Sequence, residues 1–405
     1  MGLKLIVCAL AMALAAPAQA APAPSGPASW VASWAAPPAP AMASASGRFA
    51  QFASPSFNNQ TVVDTVRLSA GGARLRVRFT NEYGAKPLTI GRARVALVAA
   101  DGKMIPGSAR DLAFSGAASA TVLAHAPLVS DPVALATSPL ARLQVSLYLP
   151  EQTEPCGCHA QGGQLADISP PGDFTHAPFT PVGHTENRVF LSGVEVERTI
   201  KAPVIVAFGD SITDGYQSTL GANRRWPDRL AERLAAAGSK AAVVDAGIGG
   251  NRVLSDGFLP VFGESALARF DRDVLAQPGA THLVILEGVN DMGMAPTPSA
   301  QALIAGYRQL IARAHAHGLK AILATVLPYK GAFYFKPEGE AVRQAVNAWI
   351  RTAHEADGVV DFDAVIRDPA DPAKMRSGLQ SGDWLHPNDA GYRAMGEAVD
   401  LKLFR

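Results

Sequence analysis

Serine, histidine, aspartate and asparagine residues recur in four short polar segments in the second half of the sequence. The segments are 209–214 (Gly-Asp-Ser-Ile-Thr-Asp), 247–252 (Gly-Ile-Gly-Gly-Asn-Arg), 288–291 (Gly-Val-Asn-Asp) and 383–388 (Asp-Trp-Leu-His-Pro-Asn). Acyl transfer needs a nucleophile, a base and a group that orients the base. Ser211 is the candidate nucleophile and His386 the candidate base, and Asp383 can accept the other ring N–H of His386. These residue types and spacings indicate serine-dependent hydrolysis.

Single residues in these segments also have simpler interpretations. A serine or aspartate directly after a strand is most often a helix N-cap, so Ser211 or Asp210 alone would not indicate a nucleophile. The Asp-x-x-His pattern also occurs at Asp173 and His176, in a segment where no strand end is predicted. We therefore expect His386 rather than His176 to be the base.

Cofactor and metal sites are disfavoured by the same segments. The glycines at 247–250 follow the second predicted strand rather than the first, and they lack the full Gly-x-Gly-x-x-Gly spacing of a dinucleotide site. No second histidine stands near Asp383 and His386, as a metal centre would require. No cofactor and no metal are predicted.

Strands and helices alternate after residue 201 and must position the four segments. Buried strands are predicted at 204–208, 242–246, 282–287, 320–325 and 359–362, and apolar residues recur at helical spacing between them. This alternation indicates a parallel sheet covered on both faces. Ligands bind beyond the carboxyl ends of such strands, so we expect the four segments at one rim.

The first half of the chain has a shorter periodicity. Alternating or apolar runs at 61–68, 73–79, 93–98 and 143–149 are separated by turn residues, which predicts an antiparallel sandwich or jelly-roll-like domain. Segment 151–183 has neither period and is interpreted as an irregular loop. The predicted organisation is a signal peptide at 1–20, an Ala/Pro-rich leader at 21–40, an all-β domain at 41–198 and an α/β domain at 199–405.

The four polar segments, in this order and each after a predicted strand, resemble the four blocks of the SGNH hydrolase (GDSL esterase) superfamily. The resemblance covers about residues 202–405, and Ile212 stands where the name-giving motif has leucine. It implies a flavodoxin-like parallel sheet of about five strands and a serine esterase activity. The β-domain lies outside the minimal family domain, although larger exported relatives often carry one.

The resemblance also implies a role for each residue. Ser211, Asp383 and His386 correspond to the catalytic residues. The backbone N–H groups of Ser211 and Gly250 and the side-chain amide of Asn290 correspond to the oxyanion hole, where loss of one donor typically costs about 3 kcal/mol of barrier.

The N-terminus and the cysteines bear on cellular location. Residues 1–20 combine a positive start, a short apolar run and a final Ala-Gln-Ala, as in a signal peptide. The run is too short to span a bilayer, so export to the periplasm or beyond without a transmembrane anchor is predicted. Cys156 and Cys158 would then be the remaining cysteines, either bridged in a small loop or free, since a metal site would need more ligands than the adjacent His159.

The composition of the chain bears on the partners it could bind. Lys+Arg 36 against Asp+Glu 35 gives a net charge of +1 and no electrostatic case for nucleic acid. Hydrophobic residues make up 48% and charged residues 18%, which indicates a substantial core. The oligomeric state does not follow from the sequence.

The expected substrate is a small-molecule or glycan ester with a short acyl or acetyl group. A lipase, phospholipase or thioesterase of the same fold, or a degenerate hydrolase that binds glycans, remain alternatives. The aromatic segment 327–335, after the fourth strand, could line a pocket for an acyl chain, an aromatic ester or a sugar ring. Its rings could equally pack beneath the loop.

Overall fold

The computed structural model describes residues 27–294 and 296–405. The predicted signal peptide at 1–20 and the start of the predicted leader lie outside the described residues. The strands are β1 (Ser29–Ala35), β2 (Gln60–Arg67), β3 (Leu75–Thr80), β4 (Leu88–Ile90), β5 (Arg92–Val98), β6 (Arg110–Asp111), β7 (Ala120–Val122), β8 (Pro127–Val129), β9 (Arg142–Leu149), β10 (Ala166–Pro171), β11 (Gly183–Thr185), β12 (Leu191–Arg198), β13 (Val204–Gly209), β14 (Ala242–Gly247), β15 (His282–Leu286), β16 (Lys320–Ala324) and β17 (Gly358–Val360).

Helices occur almost entirely after residue 210. The α-helices are α1 (Ser211–Asp214), α2 (Trp226–Ala236), α3 (Ala266–Phe270), α4 (Val289–Gly293), α5 (Ala300–Ala316), α6 (Pro337–Thr352), α7 (Phe362–Ile366) and α8 (Asp389–Ala398). Short 3-10 helices lie at Gly47–Phe52, Pro260–Phe262, Ser377–Leu379 and Leu401–Phe404, and a π-helix at Asp271–Leu275. We call residues 27–198 the β-rich part and residues 199–405 the α/β part.

The β-rich part consists of antiparallel sheets. One has the order β1-β12-β3-β8, a second β11-β10-β2-β9-β5-β6, and a small third pairs β4 with β7. Strand β3 buries Leu75, Val77 and Phe79 and turns Arg76 and Arg78 outward, as the period of a strand requires. The predicted antiparallel sandwich is confirmed.

The α/β part contains one parallel sheet in the order β14-β13-β15-β16-β17. All six residues of β13 are buried, because helices cover both faces of the sheet. With the chain's own strands counted from β13, the order is 2-1-3-4-5, so the predicted flavodoxin-like fold is confirmed. Strand β13 lies between β14 and β15, and the segments after these three strands meet at one edge.

Two strands depart from the sequence interpretation. Residues 29–35 were assigned to the leader, but β1 pairs along its length with β12, because Val31, Ala32 and Ala35 are buried there. Strand β10 lies inside the predicted irregular loop 151–183. The prolines in this strand lack an N–H and are rare inside sheets, so the sequence did not indicate a strand there.

The two parts of the chain are joined by direct contacts. Arg67 of β2 binds Asp228 and Glu232 of α2 at 3.1 and 2.8 Å. The backbone N–H of Val243 donates to the Ser69 hydroxyl at 3.0 Å. The division into a domain at 41–198 and another at 199–405 stays a prediction.

Candidate active site

Ser211 is the first residue of α1, directly after β13, and is 8% exposed. The N-cap of α1 is Asp210, whose carboxylate accepts the backbone N–H of Ile212 at 2.9 Å. Gly215 ends the helix at φ 83°, a left-handed conformation that glycine adopts without strain. The capping role that the sequence left open for Ser211 thus belongs to Asp210, and the Ser211 hydroxyl points elsewhere.

Ser211, His386 and Asp383 form one hydrogen-bonded chain. The Ser211 Oγ lies 2.8 Å from Nε2 of His386, and Nδ1 of His386 lies 2.6 Å from Oδ2 of Asp383. The other oxygen of Asp383 accepts the backbone N–H groups of Leu385 and His386, each at 2.9 Å. The ring of Tyr216 packs edge-on against His386 at 4.7 Å. The imidazole is thereby held with one nitrogen on the serine and the other on the carboxylate.

The carboxylate of Asp383 is stabilised in its charged form. Partial burial raises its pKa, but the hydrogen bonds from the His386 ring and the backbone N–H groups outweigh burial and leave the pKa well below the usual range. Asp383 therefore stays ionised and can stabilise an imidazolium beside it.

Asn290 and Gly250 line the same cavity as Ser211. Asn290 is 3% exposed; its Nδ2 donates to the carbonyl of Asn251 at 2.9 Å, and its Oδ1 accepts the Tyr334 hydroxyl at 3.1 Å. These two bonds fix the orientation of the amide, which has a second N–H.

The backbone N–H groups of Ser211 and Gly250 are available to a ligand. Neither donates to an acceptor among residues 27–294 and 296–405. Gly250 has φ 73°, and a β-carbon there would lie 2.5 Å from the ring of Phe262, so only glycine fits. The structure thus brings together all five residues that the sequence singled out for the site.

Buried carboxyl groups lie behind Ser211. Burial raises the pKa of Asp210 to about 7 and that of Asp291 to about 6, and it raises the pKa of Glu287 well above its usual value. The fully buried guanidinium of Arg269 lies 3.7 Å from Glu287 and donates to the carbonyl of Gly209 at 2.8 Å. Sequence analysis missed this cluster, because no local pattern marks an arginine that reaches beneath a strand end.

The cavity above Ser211 has a volume of about 430 Å³ and many aromatic side chains. The aromatic residues in its lining are Phe49, Phe52, Tyr216, Phe258, Phe262, Phe333 and Tyr334. The segment 327–335 serves both expected uses: Tyr329 is buried beneath the loop, whereas Tyr334 lines the cavity. Sequence analysis missed the rings at 49, 52, 258 and 262.

The competing Asp-x-x-His lies outside this cavity. His176 is exposed and its Nε2 lies 3.0 Å from Asp111, while Asp173 accepts the hydroxyl of Thr175. It is not part of the cavity lining that contains Ser211.

The cysteines contact each other rather than a metal cluster. Cys156 and Cys158 are paired, and the backbone N–H of Phe190 points at both sulfurs. His159 instead binds Asp214 of α1 through Nε2 at 3.0 Å. Within the described ranges, no group of three or more His, Cys, Asp or Glu side chains could hold a metal ion.

Part of the chain matches the model of a known protein family. Residues 207–394 match the model of the GDSL-like lipase/acylhydrolase family, a range that contains all four polar segments. No curated protein matches the chain. In the part of the chain that the structure describes, no helix has the length and apolar character needed to cross a membrane.

Several solved structures are similar to about half of the chain. A protein assigned to the G-D-S-L lipolytic family from Desulfitobacterium hafniense DCB-2 is 25% identical over 48% of this chain and 96% of its own, with a TM-score of 0.38. The aryl esterase of M. smegmatis is 17% identical over 49% and 96%, with a TM-score of 0.41. A carbohydrate acetylesterase family member from Sinorhizobium meliloti is 21% identical over 48% and 94%, with a TM-score of 0.41.

Proposed function

We propose that this carboxylic ester hydrolase, whose residues 207–394 match the GDSL-like lipase/acylhydrolase family model, cleaves its substrates through an acyl-enzyme on Ser211. The observation that carries this proposal is the 2.8 Å contact between the Ser211 hydroxyl and His386, whose other nitrogen meets Asp383 at 2.6 Å. This is the arrangement of nucleophile, base and orienting group that activates a serine.

The proposed reaction has two halves. Oγ of Ser211 attacks the ester carbonyl carbon while Nε2 of His386 takes the hydroxyl proton. The carbonyl oxygen becomes an oxyanion, to which the N–H groups of Ser211 and Gly250 and the amide of Asn290 donate. Collapse breaks the carbon–oxygen bond of the ester, and His386 gives its proton to the departing alcohol.

Water completes the cycle. His386, neutral again, takes a proton from a water molecule as the water oxygen attacks the acyl carbon on Ser211. Collapse of this second intermediate releases the carboxylic acid and returns the proton to Oγ. Throughout, the Asp383 carboxylate keeps the imidazole in the productive tautomer and stabilises its charged form.

For the substrate we propose a small-molecule or glycan ester with a short acyl group, and for the location the periplasm or the exterior of the cell. The location rests on the sequence pattern of residues 1–20. The reaction as written uses no cofactor and no metal.

The test of the acyl-enzyme is covalent labelling. A fluorophosphonate probe should modify one site in the wild-type protein, and Ser211→Ala should abolish both labelling and hydrolysis of p-nitrophenyl acetate. Ser119→Ala, which removes an exposed serine of the β-rich part, serves as the matched control and should keep both. Labelling that persists in Ser211→Ala would assign the nucleophile elsewhere, and a wild-type protein that neither labels nor hydrolyses would favour the glycan-binding alternative.

A further inference from the structure

One side of the cavity above Ser211 is formed by residues of the β-rich part. The 3-10 helix at Gly47–Phe52 contributes Phe49 and Phe52, and the loop that precedes β10 contributes Gln161. These residues are 50 to 162 positions away from Ser211 in the sequence, and all line the cavity that holds its hydroxyl. The β-rich part therefore reaches the site rather than only adjoining it.

Four phenylalanine rings, two from each part of the chain, make a continuous wall. Phe49 lies 6.1 Å from Phe258, Phe52 lies 5.2 Å from Phe262, and Phe258 and Phe262 are 5.1 Å apart, all measured between ring centroids. All three pairs are edge-to-face, the geometry in which aromatic rings attract one another. The Phe262 ring packs directly on Gly250, one of the proposed oxyanion donors, so this end of the wall lies next to the proposed oxyanion hole.

The four phenylalanine rings do more than pack the two parts of the chain against each other. Rings that only joined them would be covered, but Phe258 keeps 51% of its surface exposed, and Phe333, which also lines the cavity, keeps 83%. A cavity of about 430 Å³ falls within the roughly 300–1,000 Å³ of small-ligand sites and is far larger than an acetyl group requires. Aromatic rings that line a concave cavity of this size are typical of a small-ligand site.

Gln161 supplies a polar group beside the nucleophile. Its backbone is in the left-handed region at φ 54°, and the loop around it is fixed by the Cys156–Cys158 pair and by the bond from His159 to Asp214. A β-carbon placed on Gly249 would lie 4.0 Å from both Gln161 Oε1 and Ser211 Cβ.

The amide of Gln161 makes no hydrogen bond within the described ranges, although it lines the cavity. A partly covered amide that faces a ligand space offers a donor and an acceptor to whatever binds there. The loop fixes the backbone of Gln161 and leaves its side-chain amide free to form hydrogen bonds with a ligand.

We propose that the β-rich part forms one side of the substrate site and selects esters whose larger substituent carries an aromatic ring. The ring binds against the four phenylalanines, and Gln161 forms a hydrogen bond with a polar atom near the scissile bond. With a short acyl group, the ring belongs to the alcohol. This inference rests on the proposed hydrolysis at Ser211.

The experiment compares matched esters. One pair shares the acetyl group and differs in the alcohol (2-phenylethyl acetate against ethyl acetate, followed by acid release), and a second shares p-nitrophenol and differs in the acyl group (3-phenylpropionate against acetate). The wild-type protein should show a higher kcat/KM for 2-phenylethyl acetate than for ethyl acetate, and a preference confined to the p-nitrophenyl pair would overturn the placement of the ring on the alcohol. Phe52→Ala and Phe52→Leu should lower that kcat/KM ratio about 10-fold, as loss of a ring contact does.

Gln161→Ala should raise KM for the phenyl-bearing ester, since it removes a substrate contact. The controls are Phe179→Ala and Gln152→Ala, which alter residues of the β-rich part outside the cavity and should leave the ratio unchanged. Thermal unfolding of each variant checks that the fold is retained.

The outcomes separate this inference from the function on which it rests. A kcat/KM ratio that is the same in the wild type and Phe52→Leu, together with an unchanged KM in Gln161→Ala and with p-nitrophenyl acetate still hydrolysed, overturns the inference and leaves the esterase intact. A preference for acetylated sugars over both phenyl esters also overturns it. If no ester is cleaved and Ser211 is not labelled, the proposed function itself has failed.

Discussion

Replacing Tyr334 by phenylalanine should slow the reaction only by way of Asn290. The Tyr334 hydroxyl donates to Oδ1 of Asn290 at 3.1 Å, while Nδ2 of the same amide donates to Asn251 at 2.9 Å. Together these two bonds fix the orientation of the Asn290 amide and therefore the direction of its remaining N–H, the proposed oxyanion donor. Loss of one such neutral hydrogen bond costs about 0.5–1.5 kcal/mol, which corresponds to a roughly 2- to 10-fold lower kcat.

Asn290→Ala should cost far more, because it removes the proposed oxyanion donor itself. The expected loss is ~10²–10³ in kcat with KM little changed. If Tyr334 acts only by orienting this amide, Tyr334→Phe should have no further effect in the Asn290→Ala background. A double-mutant cycle on kcat for p-nitrophenyl acetate measures this directly.

Tyr329→Phe is the matched control. Its hydroxyl lies beneath the same loop, is buried, and has no hydrogen-bond partner among the described residues. Its removal should leave kcat unchanged. If instead the Tyr334→Phe and Asn290→Ala effects multiply in the double variant, Tyr334 acts on the substrate or the fold independently, and the reasoning from the amide is refuted.

Three further predictions follow from the site. Asp383→Asn should lower kcat without unfolding the protein, because it removes the charge that stabilises the imidazolium; unaltered kcat would indicate a Ser211–His386 dyad. His386→Ala should abolish hydrolysis while His176→Ala retains it, and the reverse would move the base to the β-rich part. The pKa of Asp210 is raised to about 7 by burial, so the folded state binds its proton more tightly than the unfolded state, and the free energy of unfolding should fall as pH rises from 3.8 to about 7. Asp210→Asn, which still caps α1, should make this fall shallower in urea titrations at several pH values; an unchanged slope would contradict the assignment.

The hydrogen-bonded chain of Ser211, His386 and Asp383 could be predicted because Ser211 directly follows a strand that the sequence reveals, and because Asp383 and His386 share one short polar segment. Parallel strands present their carboxyl ends at one edge, so locating β13, β15 and the last polar segment was enough to bring Ser211, Asn290 and His386 together. The spacing of Asp383 and His386 on one turn fixed their mutual contact. Local pattern, sheet topology and the resemblance of the four segments to the SGNH blocks were sufficient together.

The substrate side of the cavity could not be predicted in this way. Phe49 and Phe52 belong to a short 3-10 helix, and Gln161 to a loop without period, so neither segment has a pattern that indicates its partner. The contact of Phe52 with Phe262 and the position of Gln161 beside Gly249 depend on how two distant parts of the chain pack. Strand β1 was missed for a related reason, since small residues and prolines around it resemble a linker.

The position of Ser211, the proposed nucleophile, depends on both parts of the chain. Helix α1 has four residues, and an isolated helix of that length is unstable in water, so outside contacts must hold it. Within the α/β part, Asp210 caps its start and the Thr213 hydroxyl accepts the indole N–H of Trp226. From the β-rich part, His159 binds Asp214 at its end. Because the loop that carries His159 also carries Gln161, the contact that secures Ser211 and the contact proposed for the substrate are set by the same packing of the two parts.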